Sequence, residues 1–139
     1  MIKTLPDTAT RLQKLLASAG SHRLHPAMVL VGVHRLPAPD VLDLQWPDLD
    51  LAQGRVRLPS GWQQVGTGTA TLLHWHGCRQ RLDRLTVGVS WPSGLSVFVD
   101  EDGHAYAEQR GDEVVAEMAR SARLPPLTLA ALRHPCLTG

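Results

Sequence analysis

The chain has 139 residues, 43 % of them hydrophobic, with 14 Lys and Arg against 13 Asp and Glu. That length suits one domain with a modest core, and the composition excludes a disordered chain. A net charge of +1 lacks the overall basic excess of a dedicated DNA binder, but the charge is uneven. Residues 52–99 carry five Arg against the single Asp83, and residues 100–139 carry four Arg against seven carboxylates. This asymmetry points to a basic middle segment, with ordinary solvated arginines as the alternative.

In chain order, Pro6 suits a first helical turn, and Ala9, Leu12, Leu15, Leu16 and Ala19 recur at helical spacing until Gly20. Pro26 opens a segment over Ala27 to Val33 that is apolar all round and predicts a buried helix. Pro37 and Pro39 break it. A short helix over Asp40 to Gln45 follows, with Val41, Leu42 and Leu44 inward, ended by Trp46-Pro47. Asp50 to Gly54 reads as a turn. Arg55-Val56-Arg57-Leu58 alternates as a strand with both arginines on one face, and Trp62 to Val65 suits another short strand.

Thr69 or Thr71 is expected to cap a long helix to about Leu85, with Leu72, Leu73, Leu82 and Leu85 as core. Leu95, Val97 and Val99 alternate as a third strand before the turn Asp100 to Gly103. Glu108 to Ala122 reads as a helix burying Val114, Val115, Met118, Ala119 and Ala122, and Thr128 caps a last helix through Leu132. The expected class is α+β, mainly α, with a small antiparallel sheet, in a single domain over residues 1–139. No secretory signal and no apolar run of about 18–20 residues is present, so a cytoplasmic protein with Cys78 and Cys136 reduced and no membrane partner is expected.

Two segments resemble tyrosine recombinases of the phage-integrase type. One is Leu42 to Leu51 followed by Gly54-Arg55-Val56. The other is Leu124 to His134, ending in Leu132-Arg133-His134. His76 to Leu85 and Gly94 to Gly103 are similar, in order and spacing, to a helix and an acidic turn of actinobacterial integrases, so the likeness runs from about Thr4 to Gly139. It implies a role in DNA integration and recombination. In that chemistry a Tyr attacks a DNA phosphorus, two Arg hold the phosphate oxygens, and a Lys and a His move protons.

The resemblance carries over only in part. Arg133 matches the second-box Arg and His134 the His that follows it. Ala130 stands where the family has His, and Pro37 where it has the first Arg; Arg35, two residues away, is the candidate replacement. No Lys lies between Leu58 and Gly68, and the only Tyr, Tyr106, falls in the wrong element. The expectation is a domain lacking the C-terminal segment with the nucleophile, unable to cleave strands alone, that binds DNA through Arg133, Arg35, Arg55, Arg57, Arg79, Arg81 and Arg84.

The rival reading is a non-enzymatic protein-protein interaction or regulatory module. Self-association or a partner would then use Leu127, Leu129, Leu132 and Leu137, left uncovered by that segment. No cofactor or metal is expected. On a helix His74 and Cys78 share a face while His76 points elsewhere, so a zinc site is disfavoured. Asp100, Glu101 and Asp102 read as a solvated turn rather than a calcium loop. Trp46 is expected in the core; Trp62, Trp75 and Trp91 fit either core or interface.

Overall fold

The computed structural model describes residues 8–20, 22–87, 95–100 and 102–133. Helix α1 spans Thr8–Ser18, α2 His25–Gly32 and α3 Ala38–Leu42. Pro26 and Pro39 both sit in first turns, where the missing N–H leaves no helical bond unmade. The apolar segment ends before Pro37 as expected, but Pro39 lies inside the first turn of α3, which therefore spans Ala38–Leu42 rather than Asp40 to Gln45. A 3-10 turn at Trp46–Asp48 leads into β1 (Leu49–Asp50), β2 (Arg55–Leu58) and β3 (Gly61–Gln64), which form one antiparallel sheet in the order β1-β2-β3. Helix α4 runs over Gly66–Val87, α5 over Glu108–Ser121, and a final 3-10 turn over Ala130–Arg133. The architecture is the expected mainly helical one with a small three-stranded antiparallel sheet.

Gly54 closes the β1–β2 turn at φ +66, and its carbonyl accepts both Val65 N–H (2.8 Å) and Gly66 N–H (3.0 Å). A Cβ there would meet the Gly66 backbone at 3.1 Å in a left-handed conformation, so this position needs glycine. The same contact fixes the start of α4. Thr71 lies inside that helix and its hydroxyl donates back to the Thr67 carbonyl, while Thr69 bonds His34, so neither threonine is the cap.

The apolar α2 is the hub: it packs against α1, α3, α4 and the last 3-10 turn. Leu15, Leu24, Met28, Leu30, Leu44, Leu73, Phe98 and Leu129 are among the fully buried side chains. Several core expectations need correction. Leu73 is buried and Leu72 half-buried, but Leu82 and Leu85 face solvent, because α4 has only one side against the body of the fold.

Residues 95–99 form no ladder. Val97, Phe98 and Val99 are all buried, and pairing is limited to two isolated bridges, Gln45 with Ser96 and Val99 with Ala105. Trp46 is half-buried, and Trp62 and Trp75 are exposed. Leu127, Leu129 and Leu132 belong to the core, which removes them as an uncovered patch. Trp91, His134, Cys136 and Leu137 lie outside the described residues. No helix is long and apolar enough to cross a membrane among the described residues.

Candidate nucleic-acid interface

Two arginines 98 residues apart meet at the C-terminal end of α2. Arg133 Nε donates to the Arg35 carbonyl at 2.9 Å. Arg35 takes a left-handed backbone (φ 57) just beyond the helix, and Leu36 N–H bonds back to the Leu30 carbonyl at 3.2 Å. A left-handed residue just past a helix end is a common way to stop it, and a cation there is favoured by the helix dipole. Both side chains are exposed, and no ion pair engages either one among the described residues. With Nε committed, the other guanidinium edge of Arg133 still presents its N–H donors to solvent, in the fork that matches a phosphate.

The final 3-10 turn aims Arg133. Thr128 Oγ1 accepts from Ala131 N–H at 3.1 Å, and Asp112 Oδ1 of α5 accepts from Leu129 N–H at 2.9 Å. Thr128 thus acts as the expected cap, while Asp112 carried no sequence signal. Buried Leu129 and Leu132 anchor the turn to the core.

The other basic residues divide into two groups. Arg55 and Arg57 share a sheet face, as alternation predicts, and Arg57 pairs across the sheet with Trp62. Their guanidinium carbons lie 4.4 and 5.7 Å from the Trp62 ring centroid. Each is also paired with a carboxylate: Arg55 with Asp50 at 3.1 Å and Arg57 with Asp48 at 2.8 Å. Burial alone would raise the Asp48 carboxyl, but the Arg57 hydrogen bond and charge and the Gln45 N–H outweigh it and hold it below the usual carboxylate range. Arg79, Arg81 and Arg84 project from the exposed sides of α4.

A buried polar chain ties α4 to the rest. Trp46 Nε1 donates to Gln80 Oε1 (2.8 Å), Gln80 Nε2 donates to the Val97 carbonyl (2.9 Å), and His76 Nε2 meets that carbonyl at 2.7 Å. A carbonyl only accepts, so His76 carries its proton on Nε2. Burial pushes its pKa down, with the Val97 hydrogen bond opposing. His74 Nε2 and Cys78 Sγ lie 3.9 Å apart on a shared face, away from His76, as helical spacing requires. Asp100, Asp102 and His104 each bring a ligand atom within 4.8 Å of the others, but Asp100 Oδ1 already accepts the Asp102 and His104 N–H groups and organises the turn. Tyr106 is in the core, 5 % exposed.

No family model matches this sequence, and no curated protein matches it. A solved structure does: XerA recombinase superposes with a TM-score of 0.73 over 96 % of this chain, at 15 % identity. The chain has a tyrosine-recombinase fold. It spans 47 % of the XerA chain. Ala130 opens the last 3-10 turn and Pro37 is the N-cap of α3.

Proposed function

We propose that this recombinase-like domain binds duplex DNA by a phosphate clamp formed by Arg35 and Arg133, and that these 139 residues do not cleave it by themselves. The observation that carries the reading is the Arg133 Nε bond to the Arg35 carbonyl, which brings one exposed arginine against the backbone of another at one helix end. Two arginines carried at one helix end suit the non-bridging oxygens of a phosphodiester, the role that paired arginines play in recombinase chemistry. Arg55 and Arg57 fit a supporting role less well, because Asp50 and Asp48 offset their charge. Three features support the absence of cleavage: Tyr106 is buried, no Lys follows β2, and Ala130 stands where the resemblance places a proton-transferring His. A nucleophile for strand exchange would have to come from outside these residues.

Fluorescence anisotropy on a labelled duplex, at two salt concentrations, tests both halves. Arg133→Ala and Arg35→Ala are each expected to weaken binding about tenfold and to flatten the salt dependence by about one phosphate contact. A suicide substrate should leave no covalent adduct. Unchanged affinity in both variants removes the clamp, and a protein–DNA adduct removes the claim that these residues cannot cleave.

A further inference from the structure

We propose that the outward face of α4 is a docking seam for an acidic amphipathic helix of a partner protein. Opposite the core-facing Leu73, His76 and Gln80, the helix carries Trp75, Cys78, Leu82 and Leu85. These fall at i, i+3, i+7 and i+10, the alternating three–four spacing of a coiled-coil seam, and cover about 15 Å of helix. Trp75 and Leu82 are each 64 % exposed and Leu85 79 %. A helix apolar on two opposite sides is expected to be covered on both, and the described residues cover one.

Charge selects the occupant. Arg79 borders the seam on one side at an e position, and Arg81 on the other at a g position. Arg81 leans over the seam, its guanidinium 3.5 Å from Cys78 Sγ. The one acid of this stretch, Asp83, is paired with Arg23 at 3.7 Å. In a coiled-coil pairing these flanks meet the flanks of the partner helix, and opposite charges there set partner choice. A second copy of this chain would bring arginines against arginines, so self-association across the seam is disfavoured. Duplex DNA would satisfy the arginines but leave Trp75, Leu82 and Leu85 against phosphates.

An acidic helix with apolar residues at matching spacing satisfies both. Beside Trp75 a cavity of about 150 Å³, lined also by Leu72, His25 and Arg79, continues the surface.

The probes are two synthetic peptides of three heptads with Leu at every a and d position, one with Glu and one with Lys at every e and g position. Like charges keep each peptide from pairing with itself. Titrated against the full chain by calorimetry, the Glu peptide is expected to bind and the Lys peptide to bind at least about tenfold more weakly. Leu82→Ser with Leu85→Ser should weaken the Glu peptide about tenfold or more. Arg79→Glu with Arg81→Glu should reverse the preference. All four positions are exposed, so the variants keep the fold, and Leu85→Lys alone is a second, milder probe of the seam.

Failure of the wild-type chain to bind the Glu peptide, or equal affinity for both peptides, overturns the proposal. So does binding that ignores the leucine substitutions. A concentration-dependent dimer abolished by the leucine substitutions would make a second copy the occupant. A fall in duplex binding as large as that of Arg133→Ala would make it DNA. The phosphate clamp is tested by different residues, so either reading can fail without the other.

Discussion

At Arg35 the backbone is left-handed at a residue with a Cβ, which costs roughly 1–2 kcal/mol relative to a right-handed turn. Glycine is the usual occupant of such a cap, and it would return part of that cost through its larger unfolded-state freedom, about 0.5–1 kcal/mol. An arginine held there is therefore not explained by stability. Its carbonyl still serves Arg133, and any residue supplies a carbonyl, so the side chain is the part left to account for. Arg35→Gly is expected to leave the chain as stable or up to about 1 kcal/mol more stable, while weakening duplex binding as much as Arg35→Ala. Chemical denaturation and anisotropy on the same variant check this. A destabilised variant with unaltered DNA affinity would mean that Arg35 is structural.

The elements that periodicity specifies well are those with one buried side. Alternation places Arg55 and Arg57 on one face of β2, and α5 buries Val114, Val115 and Ala119 as its spacing predicts. Helix α4 was less legible because Leu82 and Leu85 mimic core positions, and nothing local distinguishes a face packed inward from one left at the surface. The run Val97 to Val99 is hydrophobic through isolated bridges rather than a ladder, a difference that hydrophobicity alone does not encode. The contact between Arg133 and Arg35 was not legible in the sequence, since a contact spanning 98 positions depends on how the last 3-10 turn docks. Thr128 and Asp112 hold that turn. Thr128→Ala is expected to cost about 1 kcal/mol as a lost cap and to weaken duplex binding severalfold, because Arg133 is then presented less rigidly. A thermal melt showing the loss with no change in affinity would separate the turn from the site.

Across the whole molecule, α2 and α4 are joined through histidines. His34, beyond the end of α2, bonds Thr69 of α4 at 2.7 Å; His25 starts α2 beside the cavity that His76 of α4 also lines; His76 holds the Val97 carbonyl. Burial lowers the pKa of all three below the ordinary 6.5, and for His76 the charges of Arg79 and Arg23 add to it while Asp83 and the Val97 bond oppose. A depressed histidine pKa means that the unfolded chain takes up protons first as pH falls. The contribution of these neutral imidazoles to stability is thus complete above about pH 6.5 and is lost as pH drops from there through their folded pKa values. The urea midpoint of the full chain should be flat between about pH 8 and 7 and fall steadily between about 6.5 and 5. His76→Gln, which keeps an N–H donor for Val97 but does not titrate, should shallow that fall without abolishing it, because His25 and His34 still titrate. A midpoint indifferent to pH in this window, or a His76→Gln profile parallel to wild type, would show that the α2–α4 junction tolerates the charged imidazoles and that the buried chain through Gln80 carries the stability instead.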